Sequence, residues 1–462
     1  MTHKHTYMAL LLTLFFHSVS HSQGEGSKGG YTLTLESALA TAVANDPWLQ
    51  GSQHNQDSID ALSTVAGILP DPRISIDFTN IPTDSFDFDQ EAMSQLKVGV
   101  TQNFPRGNSR ALQQKQLATQ SKEFPYERQN RIASLSATVS ELWLDAFRSR
   151  ATSDLVESNR SLFEQLVDIA TLRYSSAVGS SRQQDVIRAQ LELTQIEDRL
   201  LMLQQRLDVE SQQLREWLPH SLQQRTTPLT FPRTMPTLQL HNFQSLPSAE
   251  NLQILSREQL LQHPAVLALE QKIKSADIGI SLARQKYKPE WSVSASYGYR
   301  DNDPVSGRDR ADLFSVGVSF DLPGISRDRQ DQHVRSATSK AEAIRTRKWL
   351  LLRQLAAGME TARAKLLRLE SRQILYAQQL LPQIREQADV SLSAYTNDDG
   401  DFSEVVRARI AQLNSEIDAL SIDVERQKTI ARLNYYLTQG GFDFGKSNTV
   451  SLAQSGGRSH EK

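Results

Sequence analysis

An internal repeat limits the possible folds of this chain more than any other feature. Val98-Gly99-Val100 recurs about 218 residues later as Val316-Gly317-Val318, and Asp185-Val186-Ile187-Arg188-Ala189 recurs as Glu404-Val405-Val406-Arg407-Ala408. Matches that return in order at one spacing indicate two copies of one structural unit. In each copy the pattern predicts two helices, two strands and two long helices. The sequence therefore predicts a mainly α protein built from a duplicated helix–strand–strand–helix unit, in residues 23–218 and 255–439.

The segments outside the two repeats have their own composition. Residues 1–22 combine Lys4, an apolar stretch and small residues before a cut after Ser22, which predicts a secretory signal peptide rather than a buried helix. Residues 219–254 contain several prolines and no sustained periodicity, which predicts a linker. Residues 440–462 predict a polar C-terminal tail.

The long helices carry narrow apolar seams. In the first repeat the seam residues step by three and four along the chain, and the second repeat has the same spacing: Leu193, Ile196, Leu200, Leu203, Leu207 and Leu214, then Val406, Ile410, Leu413, Ile417, Leu420 and Val424. This heptad spacing is typical of coiled coils. Thin hairpins of this kind bury little surface alone, so the pattern favours an oligomer.

Four shorter segments alternate between apolar and polar residues. They are residues 73–81, 95–104, 290–300 and 312–322, and each has the length of a tilted strand that crosses a bilayer. The positions predicted to face lipid are Ile74, Ile76, Phe78, Val98, Val100, Val293, Tyr297, Phe314, Val316 and Val318. A soluble sandwich with one wet face is the alternative. Four strands cannot close a barrel, and an open edge is not tolerated in lipid, whereas a homotrimer would supply twelve strands.

Charge and cysteine content exclude several classes of protein. Lysine and arginine number 51 and the acids 53, which argues against a nucleic-acid binder. The absence of cysteine excludes disulfides and thiolate metal sites. Gly24 to Gly29 spell a dinucleotide-binding pattern, but no strand precedes them and no helix follows. The sequence thus predicts no enzyme, no cofactor and no metal site.

Several motifs together resemble those of the TolC family of outer-membrane efflux proteins. They are Leu69-Pro70-Asp71-Pro72 before the first strand, the two Val-Gly-Val strands that end in proline, and Asp185-Val186-Ile187-Arg188-Ala189-Gln190 after a long helix. The resemblance implies a trimer with a 12-strand outer-membrane β-barrel and a long periplasmic α-helical coiled-coil barrel. It implies the exit duct of a tripartite efflux system of a Gram-negative bacterium, with a periplasmic adaptor and an inner-membrane transporter.

A longer stretch narrows this resemblance. Residues 80–90, followed by Gln102-Asn103-Phe104-Pro105, look like the branch that serves heavy-metal exporters of the resistance-nodulation-division (RND) type. Metal ions and other small molecules both remain open as substrates. The different-class alternative is a secreted coiled-coil structural or adhesion protein without channel activity.

The resemblance also implies roles for the turns between the long helices. Residues implied to contact the adaptor are Tyr174, Val178, Gly179, Tyr395 and Gly400, and residues implied to line the periplasmic entrance are Asp185, Asp398, Asp399, Asp401 and Glu404. For Asp401 the sequence favours a helix cap over the entrance, whereas Asp185 fits a helix start favoured by the helix dipole as well as it fits the entrance. Arg407 stands where the family has a second carboxylate, which counts against a double acidic ring.

Overall fold

The computed structural model of the chain describes residues 32–175, 183–219, 228–240, 258–325, 327–397 and 400–440. The predicted signal peptide lies outside the described residues, as do the predicted tail beyond Gly440 and two parts of the predicted linker.

The helices and strands follow the duplicated order. The first repeat contains α1 (Leu35–Ala44), α2 (Pro47–Ala66), β1 (Arg73–Thr79), β2 (Gln95–Phe104), α3 (Ser109–Ser121), α4 (Glu123–Ser175) and α5 (Gln183–Arg215). The second contains a single turn (Glu258–Leu261), α6 (Pro264–Arg284), β3 (Trp291–Tyr299), β4 (Leu313–Phe320), α7 (Arg327–Leu375), α8 (Leu381–Thr396) and α9 (Phe402–Leu437). The mainly α class with two strands in each repeat is therefore confirmed.

Equivalent helices in the two repeats begin with the same arrangement, a side-chain N-cap followed by a proline. Asp46 accepts a hydrogen bond from the backbone N–H of Trp48 at 3.1 Å, and Pro47 is the first residue of α2. In the second repeat His263 Nδ1 accepts from the N–H of Ala265 at 3.3 Å, ahead of Pro264. A proline suits the first helical position, where its missing N–H costs nothing. The duplication therefore extends to the helix caps.

Both long helical rods are perturbed near a proline. The first is broken at Lys122, between α3 and α4, three residues before Pro125. In the second, a π-helical segment (Tyr376–Leu380) joins α7 to α8, whose second residue is Pro382. Proline removes an N–H donor and its ring crowds the preceding turn, so the regular hydrogen-bond ladder cannot run through it.

The four strands form one antiparallel sheet in the order β1-β2-β3-β4. Ile76 lies opposite Val98, Val98 opposite Tyr297, and Tyr297 opposite Phe314. Residues that are directly opposite point to the same face, so this row places apolar side chains from all four strands side by side. The pairing of β2 with β3 joins the two repeats.

Three apolar clusters hold the helices together. The first surrounds Trp143, whose ring stacks on Phe147 and whose Nε1 donates to Leu33 O at 2.9 Å. Leu229 and Phe231 of the predicted linker are buried in this cluster. The second cluster lies along α4, α5, α8 and α9, and the third packs α7 against α9. The described part of the linker is therefore anchored to the helical body.

None of the helices within the described ranges is both long and apolar enough to cross a bilayer.

Candidate functional site

The sheet has one exposed apolar face. All ten residues that the sequence predicts to face lipid lie on this face, and each is at least 41% exposed. An exposed apolar patch of this kind, spread over four strands, marks a surface that another apolar phase or partner covers.

The opposite face of the sheet is mainly polar, and one row across its middle has only small residues. Ser75, Gly99, Ser296 and Ser315 form one row across the four strands. A Cβ atom on Gly99 would lie 2.9 Å from Ser75 Oγ, and one on Gly317 would lie 2.9 Å from Ser294 Oγ. The glycine that each repeat carries at this position therefore allows a serine to approach closely, and this row has no bulky side chain.

Arg106 links the sheet to the helices at the end where β2 leaves it. Its side chain pairs with Asp321 and, at 3.5 Å, with Glu290, and it donates to Lys286 O at 3.2 Å. These groups flank β3 and β4, so one guanidinium connects three strand ends. The rings of Trp291 and Phe320 pack at the same end, with centroids 4.8 Å apart.

The loops at the other end of the sheet are tied together by arginines. Arg310 donates to Asp89 O at 3.1 Å and Glu91 O at 3.2 Å, and Arg300 donates to Ala92 O at 3.1 Å. The loop between β3 and β4 therefore holds the acidic loop between β1 and β2. The acids of these loops stand out in the sequence, whereas the role of the arginines does not, because no local pattern indicates which carbonyl groups they reach.

The turn between α8 and α9, called here the second tip, is built around the capped start of α9. The N–H of Ser403 donates to Asp401 Oδ1 at 3.2 Å, and Ser403 Oγ donates to Asp401 Oδ2 at 2.5 Å. Glu404 is exposed in the first turn of α9. A Cβ atom on Gly400 would lie 2.8 Å from the backbone N of Tyr395, so only glycine fits there. Asp401 thus has the geometry of a cap, whereas Glu404 remains a candidate for the entrance.

The first tip, where α4 ends and α5 begins, contacts the second tip through Arg173. Its guanidinium lies over the ring of Tyr395, and one of its nitrogens donates to Thr396 O at 3.0 Å. The Tyr395 ring in turn packs against Phe402, with centroids 5.3 Å apart. Tyr174, beside Arg173, is exposed, and Asp185 is half-buried in the first turn of α5. Val178, Gly179, Asp398 and Asp399 lie outside the described residues.

Two buried titratable groups occupy the region between the sheet and the tips. Burial raises the pKa of Glu123, at the break before α4, to about 7, and Lys272, whose Nζ lies 3.8 Å away, opposes that shift. Burial lowers the pKa of His263 to about 4. Its Nε2 lies 3.1 Å from Tyr435 O, which fits a neutral ring that donates from this nitrogen. The sequence does not indicate that either side chain is buried, because residues far away in the chain cover them.

The described ranges contain no group of three or more histidine, aspartate or glutamate side chains placed to hold a metal ion.

Comparison with known proteins gives matches at the level of structure. No family model and no curated protein matches the sequence. The outer-membrane channel OprN aligns with 16% identity over 88% of this chain and 90% of its own, at a TM-score of 0.72. The transmembrane channel CusC aligns with 13% identity over 89% and 93%, also at 0.72.

A third structure agrees with these two. The CmeC outer membrane channel of Campylobacter jejuni aligns with 12% identity over 89% of this chain and 88% of its own, at a TM-score of 0.70. Identities this low show the fold alone. The chain has the fold of these outer-membrane channels, as its resemblance to the TolC family predicted.

Proposed function

We propose that three copies of this chain form an efflux duct in the outer membrane of a Gram-negative bacterium. The observation that carries the proposal is the two-faced sheet. Its exposed face is apolar over all four strands, and its other face carries the serine and glycine row. Lipid suits the first face and a water-filled lumen suits the second.

The free edges of the sheet support the trimer. Within the described residues β1 pairs only with β2, and β4 only with β3. β1 and β4 run antiparallel to one another in this order, so β4 of one copy can pair with β1 of the next. Three copies would then close a barrel of twelve strands and leave no unpaired backbone in lipid.

The helices suit a long conduit below such a barrel. α4 has 53 residues, which corresponds to roughly 80 Å at 1.5 Å per residue. This helix packs along α5 and α9, and the tips joined by Arg173 would lie at the periplasmic entrance. Tyr174, Tyr395 and Gly400 are then the described candidates for contact with a periplasmic adaptor.

The adaptor and the inner-membrane transporter are proposed from the resemblance to the TolC family, and the RND type and the cargo from the narrower resemblance of residues 80–90 and 102–105. The duct would receive its cargo from an inner-membrane transporter of the RND type through the adaptor, and heavy-metal cations are the proposed cargo. Deletion of the gene should then sensitise the native host to silver, copper or zinc salts, but not to ethidium. Sensitivity to ethidium but not to the metal salts would still support an efflux duct, but it would contradict heavy-metal cations as the cargo.

Closure of the barrel can be tested by cysteine cross-linking, because the chain contains no cysteine. Ile76→Cys would be combined in turn with Phe314→Cys, Val316→Cys and Val318→Cys, and the oxidised protein resolved on denaturing gels. At least one combination should yield covalent trimers. The control pair Val98→Cys/Tyr297→Cys, opposite within one sheet, should link only within a chain.

Conductance separates the duct from the alternative of a secreted coiled-coil protein. In cells the protein should fractionate with outer membranes. After purification it should run as a heat-modifiable trimer and conduct ions across a planar bilayer. A soluble monomer in the culture medium, without conductance, would contradict the proposal and favour the secreted structural protein.

A further inference from the structure

A cleft of about 460 Å³ lies in the helical body, away from the sheet and the tips, where α4, α5 and α9 converge. Its α5 wall is formed by Arg199, Met202, Leu203 and Arg206. Their spacing of three, four and seven residues puts them on one face of that helix. The cleft therefore presents two guanidiniums, two turns apart, to the same space.

Two of the three arginines that line the cleft form no ion pair within the described residues. Arg148, on the α4 wall, pairs with Asp145 at 2.7 Å and Glu425 at 3.3 Å. Arg199 instead donates to the amide oxygen of Asn414 at 2.8 Å. In the described part of the chain neither Arg199 nor Arg206 has a carboxylate within ion-pairing distance. Two of the three guanidiniums thus keep their capacity to pair with an anion.

The side chains that line the cleft carry no negative charge. Three arginines and no aspartate or glutamate are among its lining residues. Glu210 lies one turn beyond Arg206 on α5 and is not part of the lining; burial raises its pKa, while a hydrogen bond from Ser149 and the charges of Arg148 and Arg206 lower it. The lining itself is therefore positive.

The rest of the lining is suited to an organic molecule. Leu203 is buried and Ile417 half-buried, and Met202, which is 54% exposed, forms the outer rim of the same apolar wall. The hydroxyl-bearing residues Ser149 and Thr152 line the α4 side and are themselves buried. Small-molecule sites commonly have this composition, an apolar wall with a few polar groups, and volumes of about 300–1,000 Å³.

We propose that this cleft binds a small organic anion, with a carboxylate or phosphate held by Arg199 and Arg206 and an apolar body against Leu203. A guanidinium binds either head group through two parallel hydrogen bonds. The cleft lies in helices of the proposed conduit, but neither the sheet nor the tips contribute to it, so anion binding can be tested separately from conductance.

Binding can be measured by isothermal titration calorimetry on the full-length protein in lipid nanodiscs. The probes are 2-naphthoate and 2-naphthyl phosphate, which distinguish the two head groups, and the neutral 2-naphthamide. At least one anion should bind about tenfold or more tightly than the amide, because charge-assisted hydrogen bonds to guanidinium are the strong ones. Equal binding of the amide and both anions would overturn the proposal.

Variants identify the site. Arg199→Gln/Arg206→Gln should weaken anion binding about tenfold or more and leave binding of the amide unchanged, whereas Arg188→Gln, an exposed arginine elsewhere on α5, should change neither. Met202→Trp should block binding by filling the cleft without a change in charge. Undiminished anion binding in both the double variant and Met202→Trp would place any site elsewhere. Conductance of the double variant, expected to be normal, tests the duct separately.

Discussion

The guanidinium carbon of Arg173 lies 4.4 Å from the centroid of the Tyr395 ring. These residues belong to different repeats, one at the end of α4 and the other at the end of α8. The contact therefore ties the two tips of one chain together. If the tips form the entrance of a duct, a pair that joins them holds the entrance in one arrangement.

Arg173→Ala should loosen this arrangement. The substitution removes a cation–π contact and the hydrogen bond to Thr396 O, which together contribute about 1–2 kcal/mol. If opening the tips breaks this contact, its removal shifts the equilibrium towards open tips by a factor of about five or more. Planar-bilayer recordings should show a correspondingly larger open fraction. Arg188→Ala, which changes an exposed arginine near the start of α5, should leave the open fraction unchanged. Equal effects of the two variants would mean that Arg173 does not hold the tips together.

The carboxylates of the second tip should separate into two roles. Asp401→Ala removes the cap of α9 and should cost about 1 kcal/mol of stability, measured by thermal denaturation. Glu404→Gln keeps the helix start but removes one charge per chain from the predicted entrance. It should reduce cation selectivity, measured as the reversal potential in a KCl gradient. A reversal potential that Glu404→Gln does not change would remove this residue from the entrance.

The two faces of the sheet should respond differently to charge. Val316→Arg puts a guanidinium on the exposed apolar face near the middle of β4 and should cost about 2–4 kcal/mol. Ser315→Arg puts the same group on the opposite, polar face, in the row of small side chains, and should cost much less. The yield and heat resistance of the trimer in outer membranes give the comparison. Equal losses for the two variants would mean that the apolar face does not contact lipid.

Two helical glycines make a further matched pair. A Cβ on Gly358, in α7, would lie 2.3 Å from the Tyr436 hydroxyl and 2.7 Å from Tyr436 Cζ, whereas a Cβ on Gly51, in α2, would meet nothing within 4 Å. Gly358→Ala should therefore destabilise the packing of α7 on α9 by about 1–3 kcal/mol. Gly51→Ala should stabilise the protein by up to about 1 kcal/mol. Denaturant titration in detergent measures the stability of each variant. Destabilisation by Gly51→Ala as well as by Gly358→Ala would mean that close packing against Tyr436 is not what requires glycine at position 358.

Local patterns in the sequence were sufficient to predict the fold class. The alternation around Val98 and Val316 predicts strands because a period of two places one face in an apolar environment. The proline at position 125 predicts an interruption, and the break falls close by, at Lys122. Such signals depend on near neighbours in the chain and need no knowledge of the tertiary structure.

The contacts of the candidate site depend on residues far apart in sequence. Arg173 and Thr396 are separated by 223 positions, and no periodicity indicates that they meet. The acids Asp185 and Asp401 each allowed two interpretations, because a helix cap and a pore charge have the same local sequence. The structure supports the capping geometry for Asp401, while the entrance roles stay predictions.

Glu123 should make stability depend on pH in an unusual direction. Its pKa is about 7 in the folded protein against an ordinary value of 4.5, so the folded state holds its proton more tightly than the unfolded state. The contribution of this group to the free energy of unfolding should then fall as pH rises from about 4.5 to about 7, and level off above that. Glu123→Gln should remove this decline.

His263 works against Glu123 over part of the same range, so the test compares variants rather than the wild-type curve alone. The pKa of His263 is about 4 when folded against an ordinary value of 6.5, and its contribution to stability rises with pH between those values. The Glu123→Gln curve should therefore rise more steeply with pH than the wild-type curve between about pH 4.5 and 6.5. Glu36→Gln, which changes an exposed acid in α1, is the control and should follow the wild type. Parallel wild-type and Glu123→Gln curves would mean that this carboxyl group is ionised inside the protein.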